Sequence, residues 1–193
     1  MKRCDLYHTH YLSHVNGGRG DTAVLLQYQM KQQITIAIIG ATEMAGSGLL
    51  RYLLHSECHL LLLANDQHEL RRISKMLKTE KPIAGISLID CIKDGCWEAD
   101  VVILAVAAEK ESEVAARIRE VVTQKIVISM EIADTIPGKS LSALLPNSKV
   151  VYASQLKGAD GHFQFVISGN DEGAVKEANE LLNALNIRHN HAA

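Results

Sequence analysis

Aromatic side chains make up only 4% of the 193 residues, and there are only three prolines. A core in this chain must therefore be built from Ile, Val, Leu and Ala rather than from packed rings. The four cysteines, Cys4, Cys58, Cys91 and Cys96, form no CxxC pair. That spacing argues against a disulfide framework or a zinc ribbon and fits a reducing, cytoplasmic setting. Charge of neither sign is in excess, with 20 Lys and Arg against 22 Asp and Glu. Such a balance supplies no electrostatic reason for a nucleic acid or an acidic membrane as partner. No apolar run approaches the roughly 20 residues that cross a bilayer. The N-terminal segment also lacks the apolar stretch of a secretory signal.

The rest is that of an ordinary globular domain: 47% hydrophobic residues, enough chain for a full core, and no internal repeat. Residues 1–29 stand apart. They carry His8, His10 and His14, the small-residue run "NGGRGD", and no sustained period. They read as a poorly ordered extension, with "MKQQITIAIIG" from Met30 a natural beginning. Cys4 and the three histidines are metal-ligating types, but their spacing matches no zinc site, so no metal is expected.

From Ile34 onward, strand and helix signals alternate. Strands are predicted at 34–39, 59–64, 85–89, 101–106, 126–130, 150–153 and 163–168. Most are short, continuous apolar runs, the pattern of parallel strands covered on both faces. Helical spacing places Leu70, Ile73 and Leu77 on one face, then Val114, Ile118 and Val121, then Val175, Ala178, Leu182 and Leu185. Asn170 or Asp171 suits the cap of the last helix. The alternation predicts an α/β fold: a doubly wound, mostly parallel sheet with helices on both faces, filling residues 30–193 as one domain. Its ligand crevice lies beyond the carboxyl ends of the strands, where 40–46, 64–67, 106–109 and 130–134 should converge.

The first of these stretches, "IIGATEMAGSG", is a glycine turn with a misfit. Gly40 suits the sharp turn and Gly46 suits close packing of helix on strand, but Glu43 stands where a middle glycine lets the backbone approach a pyrophosphate. A carboxylate about 4 Å from a phosphate costs at most about 4 kcal/mol at an effective dielectric near 20. That is roughly a thousandfold in affinity. Two outcomes stay open. Glu43 points outward and a weakened dinucleotide site survives, or it occupies the anion seat at the helix N-terminus itself. Asp66, at the end of the second strand, sits 20 residues beyond Gly46. An acid there can accept ribose hydroxyls and repel a 2′-phosphate, which favours NAD over NADP. It can equally cap the following helix, and Arg71 and Arg72 partly offset its charge.

With these corners in view, residues 34–189 resemble the NADP-binding domain of coenzyme F420-dependent NADP oxidoreductases, with ferric reductases and pyrroline-5-carboxylate reductases as more distant kin. The stretches that carry the resemblance are "ADVVILAVAAEKESEVAARI", "KIVISMEIADT", "LLPNSKVVYASQLKG" and "FQFVISGNDEGAVKEANELLNALNI". The opening turn is also similar to that of atypical short-chain reductases. The resemblance implies a Rossmann-type domain exchanging hydride between a nicotinamide and a flavin-like or other small acceptor. It implies no dedicated catalytic residue, because two cofactors held face to face need none. It would place Ala41, Thr42, Met44 and Ala45 along the pyrophosphate, Asn65 and Asp66 at the adenosine ribose, and Val106, Ala107 and Ala108 beside the nicotinamide ribose.

Departures cluster where ligands would sit. They are Glu43, Asp66 where the family often has arginine, and Ala107 and Ala108 in the loop after the fourth strand. "YASQLKGADGH" reads as a shortened loop, and the chain stops near His191, where the family adds helices that complete the second pocket. These departures count against a deazaflavin, and a second copy of the chain would have to supply the missing wall. A cofactor-free interaction or regulatory module is the alternative. Among the remaining residues, His55 and His59 read as groups at the first helix's end, Trp97 as core or rim, and His162 as a loop residue near the crevice.

Overall fold

The structure, a computed structural model, describes residues 33–130, 141–157, 163–185 and 189–191. Cys4, the three N-terminal histidines, residues 131–134 of the expected crevice and His162 lie outside the described residues.

Eight strands form one sheet: β1 (Ile34–Ile39), β2 (Cys58–Leu63), β3 (Gly85–Leu88), β4 (Val101–Leu104), β5 (Ile126–Ser129), β6 (Lys149–Lys157), β7 (Phe163–Ser168) and β8 (His189–His191). The helices are α1 (Met44–Leu53), α2 (Gln67–Thr79), α3 (Ile92–Glu98), α4 (Ala108–Ile118), α5 (Leu141–Leu144) and α6 (Glu172–Ala184). Strand order is β3-β2-β1-β4-β5-β6-β7-β8. The first six strands are parallel, and β7 runs antiparallel to β6. The doubly wound α/β sheet expected from the sequence is thus present.

The period-2 geometry of a strand explains why the apolar runs are continuous. Ile36, Ile38, Leu60, Leu62 and Ile103 face a layer that holds Leu50 and Leu53 of α1, Leu70 and Leu77 of α2, and Val175, Ala178 and Leu182 of α6. The alternating residues Ala37, Ile39, Leu61, Leu63, Val102 and Leu104 face Cys96 of α3, Val114, Ala115 and Ile118 of α4, and Leu141 of α5. Both layers are largely aliphatic. The packing of Tyr52 edge-on to Phe165, with centroids 5.8 Å apart, is a rare aromatic contact in them.

Several local expectations need correction. The segment "YASQLK" is strand rather than loop: β6 continues to Lys157 because β7 pairs with it, from Tyr152 opposite Ser168 to Lys157 opposite Phe163. His59 is not at a helix end. It lies within β2, where its ring Nε2 meets Ser87 Oγ of β3 at 2.9 Å. Of the two places expected for Trp97, core or rim, the core is ruled out, because it is 70% exposed. Below it Lys125 reaches the end of α3 and donates to the carbonyls of Cys96, Trp97 and Ala99 at 2.6–2.8 Å. A cation placed on the last carbonyls of a helix satisfies groups that the helix itself cannot.

Candidate functional site

The strand order reverses at β1, whose neighbours β2 and β4 lead away in opposite directions. Loops from the two sides must part there, which opens a crevice at the carboxyl ends. A cleft of about 220 Å³ occupies this point. Its lining includes Ile39, Gly40 and Val106, then Thr42 and Glu43, then Asn65 and Asp66.

The turn from β1 into α1 is built as a cradle. Gly40 has φ +88°, a backbone region that costs an L side chain strain, and a Cβ there would collide with the Ala105 carbonyl oxygen. A Cβ on Gly46 would collide with the Gly40 carbonyl oxygen, so α1 rests directly on the turn. The Leu63 carbonyl accepts from the Gly40 and Ala41 amides, at 2.9 and 3.1 Å, and the Glu43 amide donates to the Gly40 carbonyl at 2.9 Å. Ala41 is fully buried beneath this turn, and Met44 and Ala45 begin α1.

Glu43 is the N-cap residue of α1, with φ −72° and ψ 162°, yet its side chain makes no capping hydrogen bond. The anion-seat expectation is therefore not met. Instead the carboxylate stands at the cleft wall, where its Oε1 lies 3.6 Å from Lys110 Nζ of α4, both side chains being about half exposed. Such a pair contributes at most about 1 kcal/mol to stability. It does, however, set a cation beside the misfit.

At the end of β2 the capping role foreseen for Asp66 is present, and its ribose role keeps an open position. Its Oδ1 accepts from the Glu69 amide at 2.9 Å, capping α2, while the residue stays exposed and lines the cleft. The expected offset by Arg72 is spent on a neighbour. Its guanidinium binds Glu69 through two bonds of 2.6 and 2.7 Å, which holds the Glu69 carboxyl below the usual range. Beyond β4 Val106 lines the cleft, whereas Ala107 and Ala108 form the uncapped start of α4 just behind that lining.

Sequence reasoning missed the far wall. Lys110, Glu113, Val114 and Arg117 of α4 line the cleft, as do Asp90 and Ile92 beyond β3. The first four follow an i, i+3, i+4, i+7 face, a signal present in the sequence. It also missed a polar group at the end of β5, where Ser129 Oγ, fully buried, donates to Glu111 Oε1. Burial, then the charge of Glu111, raises the pKa of the neighbouring Tyr152. Among the described residues no group of His, Cys, Asp and Glu could hold a metal ion, and no helix is long and apolar enough to cross a membrane.

A parallel sheet, a glycine cradle at its switch point and an acid at the end of β2 define the class: an NAD(P)-binding Rossmann domain. Residues 35–133, just over half of the chain, match the family described as semialdehyde dehydrogenase, NAD binding domain, and the chain belongs to that family. No curated protein matches the chain.

Solved structures share the fold at low identity. A pyrroline-5-carboxylate reductase from Coxiella burnetii is 16% identical with a TM-score of 0.61, covering 82% of this chain and 58% of its own. A semialdehyde dehydrogenase NAD-binding protein from Cupriavidus necator, in complex with calcium and NAD, is 18% identical with a TM-score of 0.57, covering 83% and 63%. An F420-dependent NADP reductase from an Arthrobacter species is 20% identical with a TM-score of 0.53, covering 82% and 84%. The chain thus spans less than two thirds of the length of the first two.

Proposed function

We propose that the chain binds NAD(H) and serves as the nicotinamide-binding part of an oxidoreductase. The observation that carries this reading is the cradle. The collisions that any Cβ would make at Gly40 and Gly46 keep the turn flat, and Glu43 leaves the first amides of α1 open. Free N–H groups and the positive end of the helix suit a diphosphate. Ala41, Thr42, Met44 and Ala45 would run along it, with Asn65 and Asp66 at the adenosine ribose and Val106 toward the nicotinamide ribose, backed by Ala107 and Ala108 at the start of α4.

Charge supports NAD over NADP. The cleft lining carries Glu43, Asp66, Asp90 and Glu113 against Lys110 and Arg117, so a 2′-phosphate at Asp66 would add a further anion to an acidic surface. When bound, the nicotinamide supplies hydride transfer, and the acceptor is a flavin-like or other small molecule. The chain's own contribution is orientation and exclusion of water along the aliphatic end of β4. Residues 30–193 act as one domain in this reading, with a second copy of the chain supplying a further wall.

A thermal-shift titration with NAD, NADH, NADP and NADPH tests it. A ligand at 100 times its dissociation constant adds about 2.7 kcal/mol of stability. NAD and NADH should raise the unfolding temperature well before the phosphorylated pair does. Silence from all four, on protein shown to be folded, overturns the proposal in favour of a cofactor-free module.

A further inference from the structure

We infer that Lys110 is the residue that makes a diphosphate tolerable above a turn carrying Glu43. It pairs with Glu43 in the free protein and turns to the diphosphate on binding. This rests on the NAD(H) reading above and names a ligand residue that the turn itself does not contain.

Three observations converge on it. Lys110 and Glu43 line the same cleft from two different elements, α4 and the α1 turn, together with Gly40 and Val106. Their 3.6 Å separation is long for an ion pair, and both side chains are about half exposed, so neither is locked in place. Lysine suits such a handover. Its ammonium is a point charge with three donors on a flexible stem, needing no fixed bidentate partner. The other cation of the lining, Arg117, lies seven residues further along α4. At 1.5 Å per residue it is about 10 Å from Lys110 along the axis, and the ion pair to Glu43 is made by Lys110.

The lining holds more carboxylates than cations, so without a mobile cation at this end the diphosphate would meet Glu43 unscreened. The α1 amides alone do not remove that repulsion, because Glu43 is part of the same helix start. Lys110 therefore converts the glycine-to-glutamate departure from a block into a weakening.

The test uses the full chain and ADP-ribose, which carries the diphosphate without the nicotinamide ring. Dissociation constants are measured by calorimetry for the parent, K110M, K110R, E43Q and the double variant E43Q/K110M, each at low and at high salt. K110M should weaken ADP-ribose about tenfold, the equivalent of one near-surface charge contact. The loss should be larger when E43Q has released the lysine, and the salt dependence should flatten. K110R should recover most of the affinity. Unfolding midpoints without ligand should be unchanged, since the pair is solvent-exposed.

If E43Q binds ADP-ribose and E43Q/K110M binds it equally well, Lys110 is no ligand and the inference falls while the NAD(H) reading stands. If none of the five proteins binds ADP-ribose, both fall together.

Discussion

The four long helices begin in two ways. At α2 and α6 an aspartate folds back onto its own helix: Asp66 accepts from the Glu69 amide at 2.9 Å, and Asp171 from the Ala174 amide at 3.1 Å. At α1 and α4 the N-cap residues are Glu43 and Ala107, and neither side chain caps the helix. These two starts follow the strands that flank the switch point, β1 and β4, while the short α3, after the edge strand β3, also begins without a side-chain cap at Cys91. A capped end has satisfied one of its first amides with its own side chain, whereas an uncapped one leaves all of them to water or to a ligand. The distribution separates structural helix starts from those left open at the crevice, and Asp66 belongs to both groups because its other face lines the cleft.

The largest expected effect lies in the cradle under the open end. Gly40→Ala puts a side chain into a positive-φ position and against the Ala105 carbonyl. It should cost about 3 kcal/mol or more in chemical denaturation, and dinucleotide-induced stabilisation should vanish with it. Near-parental stability in this variant would show that the turn is not held as described.

Next in size is a direct exchange between the two kinds of helix start. Glu43→Asp shortens the carboxylate to the length that caps α2 and α6, so it should stabilise the fold by about 1 kcal/mol and weaken ADP-ribose binding. Asp171→Ala should do the converse: lose about 1 kcal/mol and leave binding untouched. Should Glu43→Asp alter neither quantity, the amides of α1 are not open and the contrast between the ends fails.

The smallest effect concerns a buried thiol outside the cleft lining and acts as a control. Burial pushes the Cys96 thiol from 9.0 up to about 12. Above pH about 9 the unfolded chain therefore releases a proton that the folded chain keeps, and stability falls as pH rises toward 12. Cys58, pushed to about 11 by burial, acts with the same sign. Lys125 acts oppositely, because burial lowers its pKa and the folded state gives up that proton first. Cys96→Ala should flatten the alkaline decline in denaturation midpoints without abolishing it, and should leave ligand affinity unchanged. An unaltered decline would mean that this thiol does not titrate differently on folding.

Much of the architecture was legible because it is written locally. The β1 and β7 boundaries follow from short, mainly apolar segments, and the Asp66 and Asp171 caps act within three residues of themselves. Short or polar elements were not legible. Strand β8 has three residues, α3 has seven including Gly95 and Trp97, and the polar end of β6 stays extended because of its partner β7. In each of these, tertiary context overrode weak local preference.

The amino-acid sequence by itself determined a parallel aliphatic sheet, a glycine turn at its first strand and an acid at the end of its second. Periodicity and turn chemistry act over a few residues and need no distant partner. Only the tertiary structure decided what Glu43 does. Placing β4 beside β1 brings α4 across the crevice, and with it Lys110, a charged residue that in sequence looks like any solvated helix position. Attraction between charges depends on distance in space, and the order of strands in the sheet sets that distance.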